Sequence, residues 1–130
     1  MKVLQPSGWP RPKGYSNGIS AKGRLIVTGG TVGWDESERF VADTLPGQFA
    51  QALRNILAIL AEDGAGPEHI VRMTCYVTDI AAYRASLKEI GEAWKATIGR
   101  HYPAMALVAV SALVERRALV EIEATVVVPE

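Results

Sequence analysis

Apolar residues recur every three or four positions in two stretches of the chain and alternate in several others, so helices and strands can be read directly from the pattern. Leu45, Phe49, Leu53, Ile56, Leu57 and Leu60 form one stripe and predict a first helix. Asp43 or Thr44 can cap its start, Pro46 sits in the first turn, and Gly64 ends it. A second stripe, Ile80, Tyr83, Leu87, Ile90, Trp94 and Ile98, predicts one continuous helix capped by Asp79 and ended by Gly99. Ile70 to Thr78 alternates between the two, with Val71, Met73, Cys75 and Val77 on one face and Arg72, Thr74 and Tyr76 on the other. Tyr15–Ala21 and Arg24–Thr28 predict two short strands joined by a turn at Lys22–Gly23, and the glycine pair in Thr28-Gly29-Gly30 breaks that pattern. Met105–Ala112 and Ala118–Val128 are β-rich and predict the last two strands. Residues 5–14, dense in proline and glycine, predict an extended arm.

The predicted order β-β-α-β-α-β-β is that of a two-layer α+β domain, a mixed sheet with two helices on one face, with residues 1–14 as an arm of a single domain spanning 1–130. Two helices cover only one face of such a sheet. Met105-Ala106-Leu107-Val108-Ala109-Val110 is nevertheless apolar on both of its faces, which predicts that the second face meets another subunit.

Composition narrows the function. Hydrophobic residues make up 48 %, and Lys+Arg and Asp+Glu are both 14, so the formal charge is zero. No basic field points to nucleic acid or a membrane surface, and no apolar run approaches a membrane span. The lone cysteine, Cys75, excludes an internal disulfide and fits a reducing compartment; with no apolar run of signal length near the start, a cytoplasmic protein is expected. Cys75 alternates with apolar neighbours and reads as core. His69 and His101 lack the spacing and supporting ligands of a metal site, and no cofactor is predicted.

Four blocks in order along the chain resemble one family: Gly14-Tyr15-Ser16-Asn17-Gly18-Ile19; Leu25-Ile26-Val27-Thr28-Gly29-Gly30; Gln51-Ala52-Leu53-Arg54-Asn55-Ile56 followed by Ile70–Asp79; and Tyr102-Pro103-Ala104 with Val120-Glu121-Ile122-Glu123-Ala124. The chain is similar in these to the Rid superfamily (YjgF, reactive intermediate deaminases). The resemblance implies a chorismate-mutase-like fold and a homotrimer with sheets facing inward. It also implies a small-molecule ligand in each of three clefts between subunits. In imine-hydrolysing members an arginine after Pro-Ala binds the substrate carboxylate, and a last-strand glutamate positions water. An N-terminal tyrosine and the backbone of a Ser-Gly segment complete that pocket. Carried over residue by residue, Tyr15 matches the tyrosine, Gly29 the glycine, and Glu121 the glutamate. Thr28 replaces the serine, Gly30 replaces a glutamine, and Met105 stands at the arginine position. A thioether cannot make the bidentate charged contact of a guanidinium, so a simple 2-imino acid is not the expected substrate.

Glu121 and Glu123 lie two apart on a strand and share a face, opposite Val120, Ile122, Ala124 and Val126. On pattern alone both read as a solvated or paired strand face; the resemblance gives Glu121 the role of orienting water. Tyr15 is a candidate ligand donor or an interface ring. Trp34 is a candidate pocket wall or a loop anchor, and Met105 a pocket wall or filler. Arg72, Arg100, His101, Arg116 and Arg117 are candidates for a replacement cation, against the plainer reading of surface charges or a structural ion pair. Two functions remain open: a Rid-type hydrolase of a reactive imine or enamine, and a non-enzymatic trimer that binds a small metabolite; a third that the resemblance implies, RNA cleavage, is opposed by the zero net charge and the lack of a basic stripe. Glu121 separates the first two, since its loss abolishes turnover in the first and only tunes affinity in the second.

Overall fold

The first stripe folds as predicted, into α1, Leu45–Ala61. Thr44 rather than Asp43 is its cap, its Oγ1 accepting the Gly47 N–H at 3.3 Å. The helix closes with the Ala65 N–H on the Leu60 carbonyl and with Gly64 at φ 70°, a left-handed position that glycine enters without a Cβ clash. These elements come from a computed structural model that describes residues 1–130.

The strands are β1 (Lys2–Val3), β2 (Ile19–Ser20), β3 (Arg24–Val27), β4 (Thr31–Val32), β5 (Ile70–Val77), β6 (Ala104–Ala109) and β7 (Val120–Val128). The main sheet runs β3-β7-β5-β6, with β4 also on β7, and is mixed: β5 and β6 are parallel, the other pairs antiparallel. Alternation of β7, and of β5 from Arg72 onward, is as read; Val71 is the exception. Met73, Cys75, Val77, Val120, Ile122, Ala124 and Val126 are buried under the helices, and Arg72, Thr74, Tyr76, Glu121, Glu123 and Thr125 face the other way. A bulge between Ile70 and Arg72 moves Val71 out of the core row and puts Ile70 into it.

Two expectations are corrected. The hairpin around Lys22–Gly23 does not form. β2 pairs instead with β1 (Lys2↔Ser20, Val3↔Ile19), and β3 runs along β7 (Arg24↔Val128 to Val27↔Thr125). The strand expected from Tyr15 shrinks to Ile19–Ser20, because Ser16 is drawn to β6 by a bridge with Ala104 and by its N–H on the Pro103 carbonyl at 3.0 Å. The second helix is two: α2, Ile80–Ala85, capped by Asp79 on the Ala82 N–H, and α3, Leu87–Thr97, with Ser86 between them at φ −116° and ψ 17°. The apolar spacing runs unbroken across Ser86 and so carried no sign of the break; serine competes locally for backbone hydrogen bonds and holds helices weakly.

The core occupies one side of the sheet only. On the other side Leu25, Val27 and Val108 are 64 %, 65 % and 46 % exposed, an uncovered apolar border around a polar stripe.

Candidate functional site

The residues singled out in the sequence fall into two groups on opposite faces of the sheet. Glu121 belongs to the uncovered face, where the β5–β7 register sets Tyr76 beside Glu121, Thr74 beside Glu123 and Arg72 beside Thr125. The Tyr76 hydroxyl donates diagonally across the strands to Glu123 Oε1 at 2.7 Å, and this bond, with lesser burial, pushes the phenol above its usual range. Thr28 is pinned to the same strand: its N–H donates to the Ala124 carbonyl at 2.9 Å, and its Oγ1 accepts the Ala124 N–H at 3.0 Å. Gly29 and Gly30 follow as the link to β4. The Glu121 carboxylate rests against Gly30, whose missing Cβ would lie 2.5 Å from Oε2 and 2.8 Å from Cδ. Any side chain at Gly30 displaces that carboxylate. Arg72 borders a cleft of about 240 Å³ on this face with Thr28, Thr74 and Glu123, and forms no ion pair within the chain.

Tyr15 and Met105 form the second group. The parallel register pairs Met105 with the buried Met73 and Leu107 with the buried Cys75, which turns Met105 and Leu107 to the helix side. There they line a cavity of about 450 Å³ between the start of β6, the end of the arm and α3, together with Tyr15, Tyr83, Trp94 and Tyr102. Trp94 stacks on Tyr102, centroids 6.3 Å apart and planes 9° from parallel, and its Nε1–H donates to the His101 carbonyl at 3.1 Å. Ser16 fixes Tyr15 at the cavity by donating its hydroxyl to the Tyr102 carbonyl at 2.5 Å. Burial raises the Tyr83 phenol above its usual range. Within one chain Glu121 and Met105 are two strands apart and three residues out of register, roughly 14 Å, and point oppositely.

Trp34 is in neither group. It packs tilted on Phe40, centroids 5.7 Å apart, with the Arg117 guanidinium 5.9 Å from the Phe40 centroid, and its carbonyl accepts from Asn55 Nδ2 at 2.7 Å. These contacts fit a loop anchor, and Trp34 also borders an open cleft with Gly30 and Asn55. His101 is committed to the Ile70 carbonyl at 2.6 Å through Nε2. Arg100, Arg116 and Arg117 are exposed, and none of the five cations weighed from the sequence lines the Met105 cavity. The two that do, Lys13 and Lys95, were missed. The available signal was their spacing: Lys95 lies four residues after Gly91 and eight after Leu87, on one helical row. Cys75 is fully buried, its thiol pushed up to about 12, and takes no part in either group.

A mixed sheet covered on one face by helices is the fold of one family. Residues 10–128 match the family model described as endoribonuclease L-PSP, and the chain belongs to that family, whose members also carry the names RutC, YjgF and Rid. A RutC family protein of Synechocystis is 30 % identical over 132 residues, covering 99 % of this chain and 98 % of its own. A crystal structure of a Rid family protein of unknown function from Yersinia pestis superposes with a TM-score of 0.86 at 28 % identity, covering 98 % of each chain. A YjgF/YER057c/UK114 family member from Mycobacterium tuberculosis is 36 % identical with a TM-score of 0.67, covering 88 % of this chain and 87 % of its own.

Proposed function

We propose that the protein is a Rid-type hydrolase of a reactive imine or enamine, working in clefts between copies of the chain. The seating of the Glu121 carboxylate against Gly30 on an uncovered sheet face carries this reading. A carboxylate held there is free to accept a proton from water as the water oxygen adds to the C=N carbon. It returns that proton to nitrogen to give the carbinolamine, and then carries the carbinolamine hydroxyl proton to nitrogen as the C–N bond breaks, leaving a carbonyl and ammonia; such proton transfer contributes roughly 10²–10⁴-fold. Because Glu121 and Tyr15 lie on opposite faces, a site containing both takes each from a different copy. The exposed Leu25, Val27 and Val108 on the Glu121 face support such an assembly, which the family resemblance makes a homotrimer. Met105 at the position of the family's arginine leaves no bidentate partner for a carboxylate there, so the substrate is not a simple 2-imino acid. Neither RNA nor a membrane enters the proposal: the formal charge is zero and no helix is long and apolar enough to cross a bilayer.

A second reading, a metabolite-binding protein without turnover, is favoured by one observation: the Met105 cavity is walled without any group from the Glu121 face. Ammonia release decides between the two. With 2-iminopropanoate and an uncharged imine generated in situ, wild type is expected to hydrolyse the uncharged imine, and Met105→Arg to gain the imino acid. If neither protein accelerates either reaction, the hydrolase reading falls and the binding reading stands.

A further inference from the structure

The Met105 cavity has flat aromatic walls, and its only charged lining residues are Lys13 and Lys95, with no carboxylate among them. Leu87, Gly91 and Lys95 follow one another at four-residue spacing along α3, and all three border it. Inside a helix glycine is the least favourable residue after proline. Yet a methyl group built on Gly91 meets no atom within 4 Å, so nothing in the packing of this chain calls for glycine there. Its effect is to leave the cavity open between Leu87 and Lys95, in a lining that also includes the stacked Trp94 and Tyr102. Neither lysine forms an ion pair within the chain. Lys95 stands on a regular helix, whereas Lys13 lies on the arm beside Gly14, which is at φ 80°.

We propose that this cavity takes a small molecule with a flat aromatic or similarly apolar body and one anionic group, and that Lys95 is the specificity-determining residue that holds the anion. The body slides over Gly91 against Trp94 and Tyr102, and the ammonium of Lys95 supplies the charge that Met105 lacks. As a substrate class for the proposed hydrolase this means an imine or enamine that carries an aryl group and a carboxylate set away from the C=N carbon, to meet Lys95 rather than Met105, with a simple uncharged imine as a minimal substrate that lacks this contact; it rests on that reading only in taking the cavity as half of the substrate site.

Calorimetric titration of the intact protein tests it with three probes: 2-naphthoate, its neutral analogue 2-naphthamide, and acetate. 2-Naphthoate is expected to bind and acetate not. Lys95→Met should weaken 2-naphthoate about tenfold, the effect of losing one charge-assisted contact, and leave 2-naphthamide unchanged. Gly91→Leu should abolish binding of both aromatic probes, and Gly91→Ala should weaken them. Both substitutions favour the helix, so an equal or higher melting midpoint and an unchanged sedimentation coefficient are expected beside the lost binding. The proposal is overturned if 2-naphthoate fails to bind wild type, if Lys95→Met affects the two aromatic probes alike, or if Gly91→Leu binds them as wild type does. It is also overturned if Gly91→Leu changes the oligomeric state, since the glycine then serves contact with a second copy. Binding is read without turnover, and Glu121→Gln should retain it. Naphthoate binding in a protein that hydrolyses no imine removes the hydrolase and keeps the pocket; imine hydrolysis without naphthoate binding removes the pocket alone.

Discussion

At the residue scale, the carboxylate of Glu121 and the bare Cα of Gly30 form one unit. Glu121→Gln keeps the shape and removes the proposed base, so kcat/KM for the uncharged imine should fall by about 10²-fold or more with no loss of fold, measured as ammonia release beside a thermal melt. Gly30→Ala should give a smaller loss of the same kind by moving the carboxylate, since its Cβ would meet Glu121 rather than backbone. Cys75 makes a separate prediction. Burial raises its folded pKa from 9.0 to about 12, so the unfolded chain releases this proton first as pH rises. The stabilising effect is therefore complete below pH 9 and is lost between pH 9 and 12. By pH 10.5 the chain should have lost about 2 kcal/mol from this group. Urea melts at pH 8 and 10.5 should show that loss in wild type and a smaller one in Cys75→Ala, where the raised Tyr76 and Tyr83 phenols still act in the same direction.

At the scale of elements, what positions β7 is a side chain on α1. Gln48 is 1 % exposed. Its Nε2 donates to the Ala42 and Arg117 carbonyls at 3.1 and 3.0 Å, and its Oε1 accepts the Leu119 N–H at 2.7 Å. One residue thus fastens both the entry to α1 and the loop that leads into β7. Gln48→Leu leaves three backbone groups without partners and should cost ~3 kcal/mol of stability in chemical denaturation. Gly33 packs so closely on the Gln48 backbone that a Cβ would collide with it, which holds β4 to the same turn of α1. Hydrogen exchange in Gln48→Leu should rise first in residues 115–119, the segment that loses its fastening.

At the scale of the molecule, the sheet has a finished face and an unfinished one. With Leu25 and Val27 64 % and 65 % exposed on the face that carries Glu121 and Glu123, the proposed trimer covers this apolar border and brings Glu121 of one copy towards the Tyr15 cavity of the next. Val27→Asp places a charge in that buried contact and should shift sedimentation from the oligomer to the monomer, with loss of imine hydrolysis but with the monomer still folded, because Val27 is not part of the core. A Val27→Asp protein that stays oligomeric would place the subunit contact elsewhere.

The sequence alone determined the periodic parts. α1, β5 and β7, the faces of Glu121 and Glu123, and the core role of Cys75 follow from repeats of 3.6 and 2, which set side-chain direction without reference to the rest of the chain. The blocks around Tyr15, Thr28–Gly30 and Pro103–Ala104 were enough to recognise the family. Tertiary structure decided whatever depends on which partner a segment meets. β2 chose β1 over β3 because Ser16 ties its approach to β6, and a two-residue strand has too few bonds of its own to dictate pairing. Ser86 divides a stripe that reads as continuous. The polar role of Gln48 is set by carbonyls 6 and 69 residues away. Above all, spacing cannot say on which side of a sheet two distant residues stand. Only the register of β6 on β5 turned Met105 away from Glu121, gathered it with Lys95, and made the pocket a matter of two faces rather than one.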